Sequence, residues 1–140
     1  MKIQTHKLRI GTLSALAFAL CLAGGSGLAQ AASSKAIEAG KKVFVQYCAA
    51  CHGVDAKGNG PVASTLKNGA PDLTLIYKKN KGVFPFMMVV DVIEGGAPKT
   101  AHGTPEMPVW GFWFGEEGEA AKGRGWILDI VLYLNSIQSK

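Results

Sequence analysis

The 140-residue chain has little of what most metal and catalytic sites are built from, with three cysteines and three histidines. Beyond residue 31 only Cys48, Cys51, His52 and His102 remain. A structural zinc site needs four ligands, usually as a second Cys or His pair at matching spacing, and no such second pair exists. A long apolar run is also missing. The best, Ile10 to Ala23, is shorter than the roughly 20 residues a membrane-crossing helix needs. Nor is there a real excess of one charge. The formal +5 includes Lys2, Lys7 and Arg9 and no acid from the first 31 residues, so the remainder carries only +2. Nucleic-acid binding therefore has no electrostatic footprint. Internal repeats and low-complexity tracts are absent as well.

What is present begins with an address. The positive end at Lys2, Lys7 and Arg9 is followed by the apolar Ile10–Ala23 run, then by Gly24, Gly25, Ser26 and Gly27. Ala29-Gln30-Ala31 is a small-x-small cleavage pattern. Residues 1–31 are thus expected to be a cleaved signal peptide that takes Cys21 with it, and residues 32–140 one exported domain, in the periplasm of a bacterium. An uncleaved anchor is the alternative. After cleavage no integral membrane span is expected.

Along the remaining 109 residues, helical spacing recurs. Ser33 and Ser34 can cap a helix whose apolar face is Ile37, Gly40, Phe44 and Tyr47, running directly into Cys48. Gly40 in mid-helix costs roughly 1 kcal/mol relative to alanine, which implies a closely packed partner there. Pro61 to Lys67 reads as a short helix, Asn68 to Pro71 as a turn, and Leu73, Leu75, Ile76 and Tyr77 as core. Lys78 to Gly82 reads as a basic loop. Pro85 opens a helix with Phe86, Val89, Val90 and Ile93 on one face, stopped by Gly95 and Gly96. Ala97 to Gly125 shows no periodicity and is expected to be a long loop. Its Thr104–Phe114 part is too aromatic to lack packing partners, whereas Glu116, Glu117 and Glu119 suggest a solvated excursion. Trp126, Ile130, Tyr133, Leu134 and Ile137 form the stripe of a closing helix.

The chemistry is concentrated in Cys48-Ala49-Ala50-Cys51-His52. Two thiols three positions apart with an imidazole next to the second match the attachment motif of a c-type haem. Two cysteines on one turn can each form a thioether with a haem vinyl group, and the adjacent histidine is then held where it can reach the iron. A disulfide closing so short a loop would constrain the unfolded chain little. A thiol redox pair would work through a shifted thiol pKa, which nothing in this motif demands.

A sixth ligand would close the iron and favour electron transfer over small-molecule binding. The candidates are Met87, Met88, Met107 and His102. The first two lie on an apolar helix, where methionine is usually packing. His102 sits in a glycine-flanked turn and is expected to be exposed. Met107 is favoured because Pro108 biases it to an extended shape on an aromatic loop, and because His/Met coordination raises the potential as an electron carrier requires.

The chain resembles the class I cytochromes c, small monohaem proteins of the bacterial periplasm. The resemblance is carried by Gly40-x3-Phe44-x3-Cys48-Ala-Ala-Cys51-His52-Gly53, then Gly58-Asn-Gly60-Pro61 and Ala70-Pro71-Asp72-Leu73-Thr74. It continues in Ile93-x-Gly95, Met107-Pro108-Val109-Trp110-Gly111 and Asp129-Ile-Val-Leu-Tyr133-Leu134. It implies an all-α cytochrome c fold, three to five short helices around one haem c, with the first and last helices crossing. It also implies that Cys48 and Cys51 hold the haem and that His52 and Met107 bind the iron. The Pro71 carbonyl would accept from His52 Nδ1–H, as second-shell partners of metal-bound histidines do. Trp110 would lie by the haem edge or a propionate, with plain core packing as the other reading. The Gly/Glu-rich segment after Met107 has no counterpart in that pattern.

The function implied is electron transfer by a soluble carrier, expected to be a monomer and not an enzyme, docking briefly with a dehydrogenase, cytochrome complex or oxidase through weak, small interfaces. The second reading is an electron-accepting subunit bound permanently to a periplasmic dehydrogenase or oxidase. A third, an enzyme or gas binder with open iron, is disfavoured by the single motif and by its position near the start of the domain.

Overall fold

The computed structural model describes residues 13–96, 107–116 and 120–139. The chain divides into two units, Met1–Ser34 and Lys35–Lys140. In the first, Lys2, Lys7 and Arg9 lie outside the described residues, and the chain is helical from Leu13. This helix, α1, is Leu13–Tyr47. The expected start at Ser33 and Ser34 is therefore corrected. The Ser34 hydroxyl donates to the Ala31 carbonyl at 3.0 Å, a bond back into an existing helix rather than an N-cap. Among the described residues no helix is long and apolar enough to cross a membrane.

The second unit holds the remaining elements, and its described residues contain no strand. After α1 come α2 (Ala49–His52), 3-10 turns at Ala63–Thr65 and Leu73–Leu75, and α3 (Ile76–Lys79). Then follow α4 (Phe86–Glu94), α5 (Trp110–Glu116) and α6 (Ala120–Ser136). The last turns of α1 cross α6. A Cβ on Gly40 would overlap the backbone carbonyl of Asp129, so only glycine lets the two backbones approach this closely. One turn on, Phe44 is buried against Tyr133, with ring centroids 5.4 Å apart. Ile127, Ile130, Val131 and Leu134 complete the buried face of α6. Helix α4 adds Val89, Val90 and Ile93 to the same core. It stops where Gly95 turns left-handed at φ 87° and Gly96 N–H bonds the Asp91 carbonyl at 2.8 Å, an arrangement that satisfies terminal carbonyls.

Three regions differ from the sequence-based expectation. Pro61–Lys67 forms a 3-10 turn in place of an α-helix, with amides of Ala63, Thr65 and Leu66 reaching back three residues to Gly60, Val62 and Ala63. Lys78 and Lys79 end α3, so the basic loop shrinks to the turn Asn80–Gly82. More importantly, the expected loop from Ala97 to Gly125 contains α5 and the start of α6. Two of its four helical glycines have a packing reason. A Cβ on Gly111 would lie 2.7 Å from the Glu94 carbonyl oxygen, and one on Gly123 2.5 Å from that of Phe114. Glycine costs about 1 kcal/mol in each helix, and the close approach offsets it. Ala97–Glu106, Glu117 and Glu119, including His102 and Thr104, lie outside the described residues.

Candidate haem site

Helix α1 delivers Cys48, whose amide bonds the Phe44 carbonyl at 2.8 Å. The chain then winds one further turn, α2, in which His52 N–H bonds the Cys48 carbonyl at 2.9 Å. A single turn leaves its carbonyls without intrahelical donors. The glycine-rich run behind it supplies them. Gly58 N–H bonds His52 O at 2.8 Å, Gly60 N–H bonds Cys51 O at 3.1 Å, and Val62 N–H bonds Ala50 O at 3.0 Å. Gly53 and Gly58 turn left-handed at φ 76° and 78° to allow this, and a Cβ on Gly58 would overlap the Ala70 carbonyl. The motif is thus a turn whose backbone is fastened from outside, leaving its side chains for chemistry.

Behind the turn, Leu73 N–H bonds the carbonyl of buried Ala56 at 2.8 Å, which carries residues 70–76 alongside His52. The Asp72 carboxylate caps the 3-10 turn, accepting from Thr74 N–H at 2.8 Å and from the Thr74 hydroxyl at 2.6 Å. His52 Nδ1 lies 3.4 Å from the Pro71 carbonyl oxygen, long for a hydrogen bond. In the tautomer that donates to Pro71, Nε2 carries the free lone pair. Burial lowers the His52 pKa, opposed in part by the Pro71 carbonyl, so the neutral ring that a metal requires is favoured.

Cys48 and Cys51 are unlinked thiols. Burial, and then the neighbouring Cys51, push the Cys48 thiol up to about 12. Thiol redox pairs rely on a depressed pKa, so Cys48 is tuned in the opposite direction.

Cys48, Cys51, His52, Pro71, Met107 and Trp110 all line one cavity of about 490 Å³. Its volume falls within the range of small-molecule and cofactor sites. Most of the wall is apolar, including Leu73, Ile76, Val89, Ile93 and Leu134, with Asn68, Asp72, Lys79 and Asn80 as polar lining. Two thiols, an imidazole and a thioether sulfur within an apolar wall form a donor set that suits a haem. Trp110 serves packing as well: its ring stacks on Phe114 at 5.2 Å and meets Tyr47 edge-on at 5.7 Å. Among the described residues no group of three His, Cys, Asp or Glu could hold a metal ion by itself.

The methionines of α4 need correction. Met87 and Met88 are 63% and 42% exposed, so neither is core filler. Met88 also lines the cavity, together with Val92 one turn on, and gives the wall a second thioether. Tyr47, a helix-face residue by its spacing, lies at the junction of the cavity and the aromatic cluster. The signal for both was helical spacing, which ranks residues by face without showing what the face meets.

The family model Cytochrome c matches residues 37–137. Among curated proteins, the chain is 46% identical over 74 residues to "Cbb3-type cytochrome c oxidase subunit FixPc" of Rhizobium leguminosarum bv. viciae. That match covers 52% of this chain and 21% of the relative. It is 41% identical over 73 residues to "Cbb3-type cytochrome c oxidase subunit FixP" of Rhizobium etli, covering 51% of this chain and 20% of the relative. The chain therefore spans about a fifth of the length of these relatives. No solved structure matches it. With a family match running from the last turns of α1 to the end of α6 and the Cys48-x-x-Cys51-His52 spacing on the cavity wall, this chain belongs to the cytochrome c family and carries haem c on Cys48 and Cys51.

Proposed function

We propose that this chain is an exported, periplasmic electron carrier whose iron is held by His52 and Met107. The observation that carries the reading is the cavity itself, which gathers Cys48, Cys51, His52 and Met107 in one mostly apolar wall. Haem c bound there supplies one-electron cycling between Fe(III) and Fe(II). The protein contributes the rest. Pro71 orients the His52 ring and raises its basicity. The Met107 sulfur and the apolar lining favour the less charged state and so raise the potential. With both His52 and Met107 committed to the iron, no ligand position would be left for a substrate, as a carrier requires. The precursor leader, residues 1–31, would direct export.

The test is optical. Met107→Ala should abolish the sulfur-to-iron charge-transfer band of the oxidised protein while the covalent haem remains. Persistence of that band would remove Met107 as the ligand and turn attention to Met88.

A second reading has its own support. Both relatives bear the names of oxidase subunits, which fits a chain fixed to a larger redox complex. Size-exclusion of the native complex distinguishes the two, because a free carrier elutes alone, as a monomer, and a subunit elutes with its partners.

A further inference from the structure

We propose that Gln138 is a positioning residue for the haem site, clamping the Leu73–Tyr77 segment so that the Pro71 carbonyl stays on His52 Nδ1. The inference rests on the reading of His52 as an iron ligand. One side-chain amide makes three short bonds. Its Nε2 donates to Leu73 O at 2.8 Å and to Leu134 O at 2.7 Å, and its Oε1 accepts from Tyr77 N–H at 2.8 Å. Beside it, Ser139 N–H bonds Thr74 O at 2.9 Å. The bond to Leu134 ties the amide to the end of α6, while the other two span 61 and 65 residues to the cavity wall.

The segment needs such a clamp. A 3-10 turn and a single α-turn, Leu73–Leu75 and Ile76–Lys79, hold themselves weakly. Tyr77 N–H lies in the first turn of α3, where no intrahelical acceptor is available, and Gln138 Oε1 provides one. On the other side, Ala56 holds Leu73 N–H and Gly58 abuts the Ala70 carbonyl. Pro71 thus lies on a short strip gripped at residues 70 and 73 by the glycine-rich run and at 73 and 77 by Gln138. With one grip removed, the His52–Pro71 contact has the least reserve, because it is already 3.4 Å long.

The experiment follows solvent exchange of the His52 Nδ1 proton by ¹⁵N NMR in the reduced, haem-loaded protein. Gln138→Ala should speed exchange at least about tenfold, the scale of its two lost hydrogen bonds to Leu73 and Tyr77. Gln138→Glu keeps the acceptor for Tyr77 N–H but turns an acceptor-only oxygen onto the Leu73 and Leu134 carbonyls, and should also speed exchange; it decides the matter if the alanine variant does not load haem. Ser136→Ala removes the bond from the same helix end to Tyr133 O (2.7 Å) and should leave exchange near the unsubstituted rate. Equal exchange in Gln138→Ala and the unsubstituted protein would overturn the clamp, as would equal acceleration in Ser136→Ala. If the unsubstituted protein shows no His52 ring resonances displaced by the haem, the ligand reading itself fails and takes the clamp with it.

Discussion

Residues 48–77 and the described part of 107–134 both contribute to the same cavity, yet the first stretch is held by backbone hydrogen bonds and the second by rings. Around α2, carbonyls of Ala50, Cys51, His52 and Ala56 each accept an amide from the following loop. Glycines at positive φ make those approaches possible. Across the cavity, Phe114 is 2% exposed and meets three rings, Tyr47, Trp110 and Trp126, at 5.2, 5.2 and 5.4 Å. The difference matters for function. The stretch that attaches the haem must fix atoms to within a bond length, which hydrogen bonds do by direction. The aromatic stretch must exclude water over an area, which packing does without direction.

The comparison can be broken by substitution. The largest effect should come from Phe114→Ala, which empties the centre of the aromatic cluster and should cost about 3–5 kcal/mol in denaturant unfolding. Phe114→Leu, which keeps most of the volume, should cost under about 1.5 kcal/mol. A ring wall tolerates such repacking; equal costs for the two would show that it does not.

Gly58→Ala adds one methyl where φ is +78° and a backbone carbonyl already occupies the space. It should cost about 3 kcal/mol and reduce the fraction of purified protein carrying haem. If it costs less than Phe114→Leu, the hydrogen-bonded stretch is not the geometrically stricter one.

The smallest effect is at the Asp72 cap, where Asp72→Ala should cost about 1 kcal/mol at neutral pH. Hydrogen bonding from Thr74, chiefly its hydroxyl, holds the Asp72 carboxyl below its usual pKa, with Lys57 and Lys79 adding to the effect. A lowered folded-state pKa means stability that is present above the unfolded value, about 3.9, and lost as pH falls through the folded one. The difference between Asp72→Asn and the unsubstituted protein should therefore shrink on acidification below that value. A difference independent of pH would place the cap's contribution elsewhere.

The same contrast explains which parts were legible in the sequence. The apolar faces of α1 and α6 could be read from Phe44 and from the Trp126–Ile137 stripe, because amphipathic spacing is a local signal, and Gly40 called for a close partner, but only the family resemblance implied that the two helices cross. The attachment motif was legible because its chemistry sits within five residues. Helix α5 was not, since Gly111 and Gly115 in a run behind Pro108 look like loop until Glu94 and Phe114 are seen pressing on Gly111 and Gly123. Ser34 looked like a cap because its type favours one, and only the preceding helix shows that its hydroxyl points back. The exposure of Met88 and the reach of Gln138 depend on contacts far apart in the chain, which no local pattern encodes.

The most direct measurement is the intact mass of the protein purified from an exporting, haem-attaching host, together with its spectrum in alkaline pyridine. Attachment through Cys48 and Cys51 predicts the mass of the chain plus one haem and the spectrum of a haem with two thioether bonds, both lost in Cys48→Ser/Cys51→Ser. A mass equal to the chain less two hydrogens, the signature of a Cys48–Cys51 disulfide, would contradict it.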